Sequence, residues 1–168
     1  TIEQLTPETQ TKYSDVYFKD YVPGLRQLAV AKRTDTEAWD KYLQTLYEQR
    51  KVFGGASRAG WQMLLTEANA AIAYFMVTPE ADDDDADWHR LRRYRALSNL
   101  NMRSATGQAD PDFEDKTVLD FEAALRVRPS DAESAVGLYE WLMAEADRAE
   151  GTRDDPRQFV ERAGQVLE

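Results

Sequence analysis

Arg92, Arg95, Asn99 and Arg103 are spaced by three, four and four residues, so a helix drawn through them carries all four on one face. Three guanidinium groups and a carboxamide in a row make an anion-binding strip. Each guanidinium offers a forked pair of N–H donors that matches a carboxylate or phosphate. Leu91, Tyr94 and Leu97 fall on the opposite face and supply the apolar stripe that would hold such a helix in place. The same spacing also describes a solvated face whose cations pair with nearby acids, an arrangement that is common and contributes little stability.

Other residues with chemical capacity form weaker patterns. Asp82 to Asp85 with Asp87 suggest a cation site, but a calcium loop starting at Asp83 would put Trp88 at the glycine position and Tyr94 at the bidentate glutamate position. The run reads better as an acidic loop capping a helix that begins near Trp88, where carboxylates favour the positive end of the helix dipole. His89 is the sole histidine, and neither a Gly-x-Ser-x-Gly elbow nor a His-Glu-x-x-His helix accompanies it, so it reads as a surface or interface residue. The segment from Gly55 to Gly60 lacks the Lys-Ser/Thr of a phosphate loop and reads as a turn between helices. Absence of cysteine excludes disulfides, thiolate catalysis and cysteine metal sites. With 31 acidic residues, no carboxylate pair is singled out for acid/base work. The expectation is a non-enzyme with no resident metal or cofactor.

The elements that must position these residues are helical. Strand signals are poor, no Asn-Gly or Asp-Gly hairpin turn occurs, and Ala, Leu, Glu, Arg and Gln dominate the long segments. The pattern predicts helices near 7–32, 35–52, 57–77, 87–104, 112–128, 131–148 and 156–167, with Pro23-Gly24 kinking or splitting the first. Gly107 and Gly151 are read as helix stops, and Asp110-Pro111 and Asp155-Pro156 as a cap followed by a helix-starting proline. The stretch from Trp61 to Val77 is the most apolar, yet it is too short and too interrupted by polar residues to cross a bilayer. A single domain over 1–168 is expected, with irregular helices over 1–80 and hairpins over 87–168. Residues 81–168 hold twelve basic and twenty-one acidic side chains, so they carry nearly all of the net charge of −10. That field disfavours nucleic acid as a partner. Cytoplasmic and exported locations are both compatible with this composition.

Phe121 and Ala124 share a helical face, Pro129 ends that helix, and Ser130-Asp131 can cap the next one. Val118, Leu125 and Val127 add apolar positions before the turn, and Ala135, Leu138 and Leu142 come after it at core spacing. Upstream, Tyr94, Leu97 and Ser98 repeat an aromatic, a leucine and a small residue. Over about residues 91–143 this spacing resembles the tetratricopeptide repeat, a family of helical hairpins with a period of about 34 residues. The two Asp-Pro pairs recur 45 residues apart, so the repeats would be divergent, with lengthened loops.

The resemblance implies an all-α fold of stacked antiparallel helical hairpins forming a right-handed solenoid. In that family the first helix of each hairpin lines a concave groove, and peptide-clamping members place a basic residue and an asparagine four apart there. Arg95 and Asn99 match that pair, while the next hairpin offers Gly137 and Glu140 on the comparable face. The groove implied here is made by Arg92, Arg95, Asn99 and Arg103 with Glu133, Val136, Glu140 and Met143. The function implied is a non-catalytic adaptor or scaffold that binds a protein or peptide, with an acidic segment or carboxylate docking on the arginines. A self-associating structural subunit of a larger assembly is the alternative, so a homo-oligomer is also compatible.

Overall fold

A computed structural model describes residues 17–52, 58–150 and 155–166. Among these the chain is all-helical, with seven α-helices and no strand. A π-helical turn over Tyr17–Tyr21 leads into α1 (Val22–Ala31), followed by α2 (Thr36–Val52) and α3 (Arg58–Phe75). A 3-10 turn over Asp87–Leu91 runs into α4 (Arg92–Thr106), and a second over Glu114–Lys116 runs into α5 (Thr117–Val127). The chain closes with α6 (Ala132–Glu150) and α7 (Arg157–Val166).

Local chemistry accounts for these boundaries. Pro23 stands in the first turn of α1, directly after the π-helical turn over Tyr17–Tyr21, so the helical run changes from π to α beside Pro23-Gly24. The residues numbered 7–16, assigned from sequence to the same helix, lie outside the described residues, as do Gly151 and the turn residues 55–57. Asp35 caps α2 by accepting the Ala38 N–H at 3.1 Å, and Asp131 caps α6 by accepting the Ser134 N–H at 3.3 Å and its hydroxyl at 2.7 Å. Gly107 ends α4 in the left-handed conformation, φ 75°, with its N–H on the Arg103 carbonyl. Asp155 precedes α7 as a cap, accepting the Arg157 N–H at 3.0 Å. Asp110 instead forms a turn, accepting the Asp112 N–H at 3.0 Å, and α5 begins only at Thr117.

Packing makes α4 the axis of the fold. It contacts α3, α5 and α6 and touches α2, while α1 packs on α2, α5 on α6 and α6 on α7. Residues 94–100 of α4 are all buried, which is nearly two full turns with no face left to solvent. The expectation of one apolar and one open basic face on this helix is therefore corrected. At the α5/α6 seam, Phe121, Ala124, Leu138 and Leu142 are all buried. A Cβ added at Gly137 would lie 2.7 and 2.9 Å from the tip of the Phe121 ring, so this mid-helix glycine is there to let the ring in. No helix among the described residues is long and apolar enough to cross a membrane.

Candidate functional site

The residues of the predicted basic strip are held by partners on neighbouring helices. Asp120, on the face of α5 that meets α4, is 1% exposed. Its Oδ2 accepts the Arg95 Nε–H at 2.6 Å, and its Oδ1 accepts Arg95 Nη2–H at 2.7 Å and Arg92 Nε–H at 2.9 Å. Arg95 also donates to Asn69 Oδ1 at 3.0 Å, and its guanidinium lies 5.5 Å from the centre of the Phe113 ring. This is a closed fork of charge-assisted bonds with both carboxylate oxygens used.

Asn99 is fully buried and also structural in its bonding. Its Nδ2 donates to Thr117 Oγ1 at 2.8 Å, and its Oδ1 accepts the Asp110 N–H at 2.6 Å, which ties the α4–α5 connection back onto α4. Arg103 pairs with Glu145, donates to the Ala144 carbonyl at 3.1 Å and stacks 4.7 Å above Trp141. Arg95 and Asn99 thus face the interior and Arg103 is spent on α6.

Arg92 retains more exposure and joins a second chain of contacts. Its Nη1 lies 3.3 Å from His89 Nδ1, while His89 Nε2 lies 2.9 Å from the Asp83 carbonyl oxygen. A carbonyl only accepts, so Nε2 carries the proton and Nδ1 is left to accept from Arg92. His89 is therefore the neutral tautomer; it is buried and stacks on Trp88 at 3.9 Å, which corrects its reading as a surface or interface residue. Burial, reinforced by the Arg92 charge, holds its pKa below the ordinary histidine value. The acidic loop is tied down through its backbone, since the Trp88 indole N–H also donates to the Glu80 carbonyl at 3.2 Å. No aspartate side chain caps the 3-10 turn at the end of this loop. Among the described residues, no three acidic or histidine side chains converge as a metal site.

On the other flank of α4, Asp40 of α2 gathers a looser cluster. Its Oδ1 accepts the Tyr94 hydroxyl at 2.6 Å, and its two oxygens lie 3.4 Å from Arg93 Nη2, Arg90 Nε and Arg128 Nη1. Arg93 reaches onward to Asp131 at 3.0 Å and Gln44 at 2.8 Å. Burial pushes the Tyr94 phenol up. Burial also works against the Asp131 carboxylate, but the Ser134 hydroxyl and Arg93 outweigh it and hold that pKa below the usual range.

Among the described residues, a concavity lies on each side of α4. A groove of about 430 Å³ is lined by Tyr47, Leu97, Leu100, Asn101 and Ser104 on one wall and Ala132, Glu133, Val136, Gly137 and Glu140 on the other. Glu133, Val136 and Glu140 from the predicted set line it; Met143 is half-buried and packs against the core. A cleft of about 670 Å³ is lined by residues that include Arg92 and Arg95. The eight predicted site residues are thus divided between two surfaces and the interior. The chain matches no family model, and no curated protein or solved structure proves similar to it.

Sequence reading missed Asp40 and Asp120, and it named Gly137 on the groove face without its close approach to Phe121. A signal for Asp120 and for that role of Gly137 existed. Thr117, Asp120, Phe121 and Ala124 fall at helical core spacing, so Asp120 is an acid at an apolar position, and Gly137 interrupts an otherwise strong helix former.

Proposed function

We propose that this chain is a non-catalytic adaptor that takes a short segment of a protein partner in the groove between α2, α4 and α6. The observation that carries this is the groove itself. Val136 stands 51% exposed over a floor of Leu97, Leu100 and Gly137, with Glu133 and Glu140 at the edge. An exposed apolar side chain beside a recess, framed by polar residues, is the usual form of a peptide anchor site. The tetratricopeptide resemblance agrees with this groove only on the α6 side, where Glu133, Val136 and Glu140 line it; α4 contributes Leu97, Leu100, Asn101 and Ser104 in place of the four residues that the resemblance implied. Stacked hairpins in a right-handed solenoid are the finer arrangement that goes with it.

The charge of the partner is set by the lining. Arg95 and Arg103 are engaged inside the molecule, whereas Glu133 and Glu140 edge the groove and the chain carries −10 overall. Lys51 answers Glu133 at 3.0 Å, and Glu140 is exposed. A segment with an apolar anchor and flanking Lys or Arg is therefore the complement, in place of the acidic segment expected from the strip. Fluorescence anisotropy with a labelled amphipathic peptide of Leu and Lys tests this. Val136→Glu should weaken binding about tenfold or more through loss of the anchor pocket. Glu140→Gln should flatten its salt dependence. A Leu/Glu peptide that binds as well, or indifference to both substitutions, overturns the reading. A self-associating subunit would instead use Met63, Met76 and Val77, which stand exposed on or just after α3, and a concentration-dependent sedimentation coefficient would favour it.

A further inference from the structure

The cleft on the far side of α4 has a different chemistry from the groove. Arg92 and Arg95 reach its floor and Lys116 stands beside it. Two guanidiniums share the single carboxylate of Asp120, and neither can shed its charge by deprotonation. At the edge, Asp84 is met by Arg126 at 3.3 Å, and Asp82 also lines the cleft. The lining holds three cations, Arg92, Arg95 and Lys116, against two carboxylates, Asp82 and Asp84, and the partners behind them, Asp120 and Arg126, offset each other, which leaves a local positive excess in a chain of net charge −10. The opposite wall is apolar, formed by Ile72, Ala73 and Met76, the last 58% exposed. A cationic floor beside an apolar wall complements a molecule that has both characters at once. An inorganic anion would leave the wall wet, and a neutral hydrocarbon would leave Lys116 and the half-shared charge of Arg92 without a counter-anion.

We propose that this cleft binds a small amphiphilic anion, with a carboxylate head on Arg92 and Lys116 and a linear apolar tail along Ile72, Ala73 and Met76. The site is separate from the peptide groove and does not depend on it. Isothermal titration of the purified chain with octanoate is the test, with octanol as the tail lacking charge and acetate as the charge lacking a tail. Octanoate should bind one-to-one, and octanol and acetate at least about tenfold more weakly. Lys116→Gln, at an exposed position, should weaken octanoate about fivefold or more with the circular dichroism unchanged, and Arg92→Gln by at least as much. Val136→Glu, in the groove, should leave octanoate binding as it was. The proposal is overturned if octanol binds as tightly as octanoate, if octanoate does not bind at millimolar concentration, if Lys116→Gln leaves its affinity unaltered, or if the groove substitution abolishes it.

Discussion

Asp120 and Asp40 face each other across α4 and are built from the same ingredients, one carboxylate on a neighbouring helix and several guanidiniums on or near α4. Their geometries differ. Asp120 is 1% exposed and takes three short bonds from two arginines, while Asp40 keeps 15% of its side chain exposed and has three arginines at 3.4 Å. Asp40 therefore enters more ion pairs, yet only its bond from Tyr94 is short. What decides the consequence of losing a buried charge pair is how completely the remaining partner is desolvated and left alone. Among the described residues, Arg95 has Asp120 as its only acidic partner, whereas Arg93 keeps Asp131 and Arg90 keeps Asp87 when Asp40 is gone. The Asp120 fork is a fastener between α4 and α5; the Asp40 cluster is a distributed clamp among α2, α4 and the α5–α6 turn.

The largest expected effect tests that contrast directly. Asp120→Ala strands Arg95 without a counter-charge and should cost about 3–5 kcal/mol, a large share of the 5–15 typical of a domain. Asp40→Ala, with second partners in place, should cost about 1–3 kcal/mol, mostly for the Tyr94 hydroxyl bond and one charge. Urea midpoints at unchanged m-value give both numbers. High salt should shrink the Asp40 penalty and leave the Asp120 penalty nearly as it was. Equal penalties would mean that geometry does not distinguish the two clusters.

An intermediate effect is expected at the seam, where shape and not charge sets the contact. Gly137→Ala gains about 1 kcal/mol of helix propensity but drives a methyl into the Phe121 ring, an overpacking that costs about 1–3 kcal/mol. The net should be destabilising, and Phe121→Leu in the same chain should recover part of it, since the two sites touch. A single substitution that raises the unfolding midpoint would show that the ring can move aside.

Much of the scaffold was legible because the punctuation is local. Gly107, Pro129 and Asp131 mark helix ends by chemistry that acts within a few residues, and the seam residues Phe121, Leu138 and Leu142 obey helical periodicity. Placement of the charged residues was not. Arg92, Arg95, Asn99 and Arg103 read as an open strip because charges at helical spacing usually face water; the acid that draws the first two inward lies 25 residues beyond Arg95, one of 31. Glu133, Val136 and Glu140 line a groove, but their place on one was implied by the resemblance and not by spacing, which gives only that they share a helical face. Tertiary partnership is what spacing on one helix cannot carry.

The smallest effect is pH-dependent and separates the two clusters by a single proton. His89 is the sole histidine, and its neutral Nδ1 accepts from Arg92, which belongs to the Asp120 fork. Its folded pKa lies below the ordinary 6.5, for which burial is the main cause and the Arg92 charge a second. Below about pH 6.5 the unfolded chain therefore binds a proton that the native state resists, and stability falls as pH falls, at no more than about 1.4 kcal/mol per pH unit. The depressed Asp131 carboxylate has its own window: its contribution is complete above about pH 4 and is lost below that, as acid reaches its folded pKa. Unfolding midpoints from pH 7 to 5 thus report His89 through the Asp120 side and leave the Asp40 side untouched. His89→Gln should flatten that slope, and Arg92→Gln should reduce it by removing the cation that an imidazolium would face. A slope that survives His89→Gln would place the titrating group elsewhere and cut the link between this histidine and the fork.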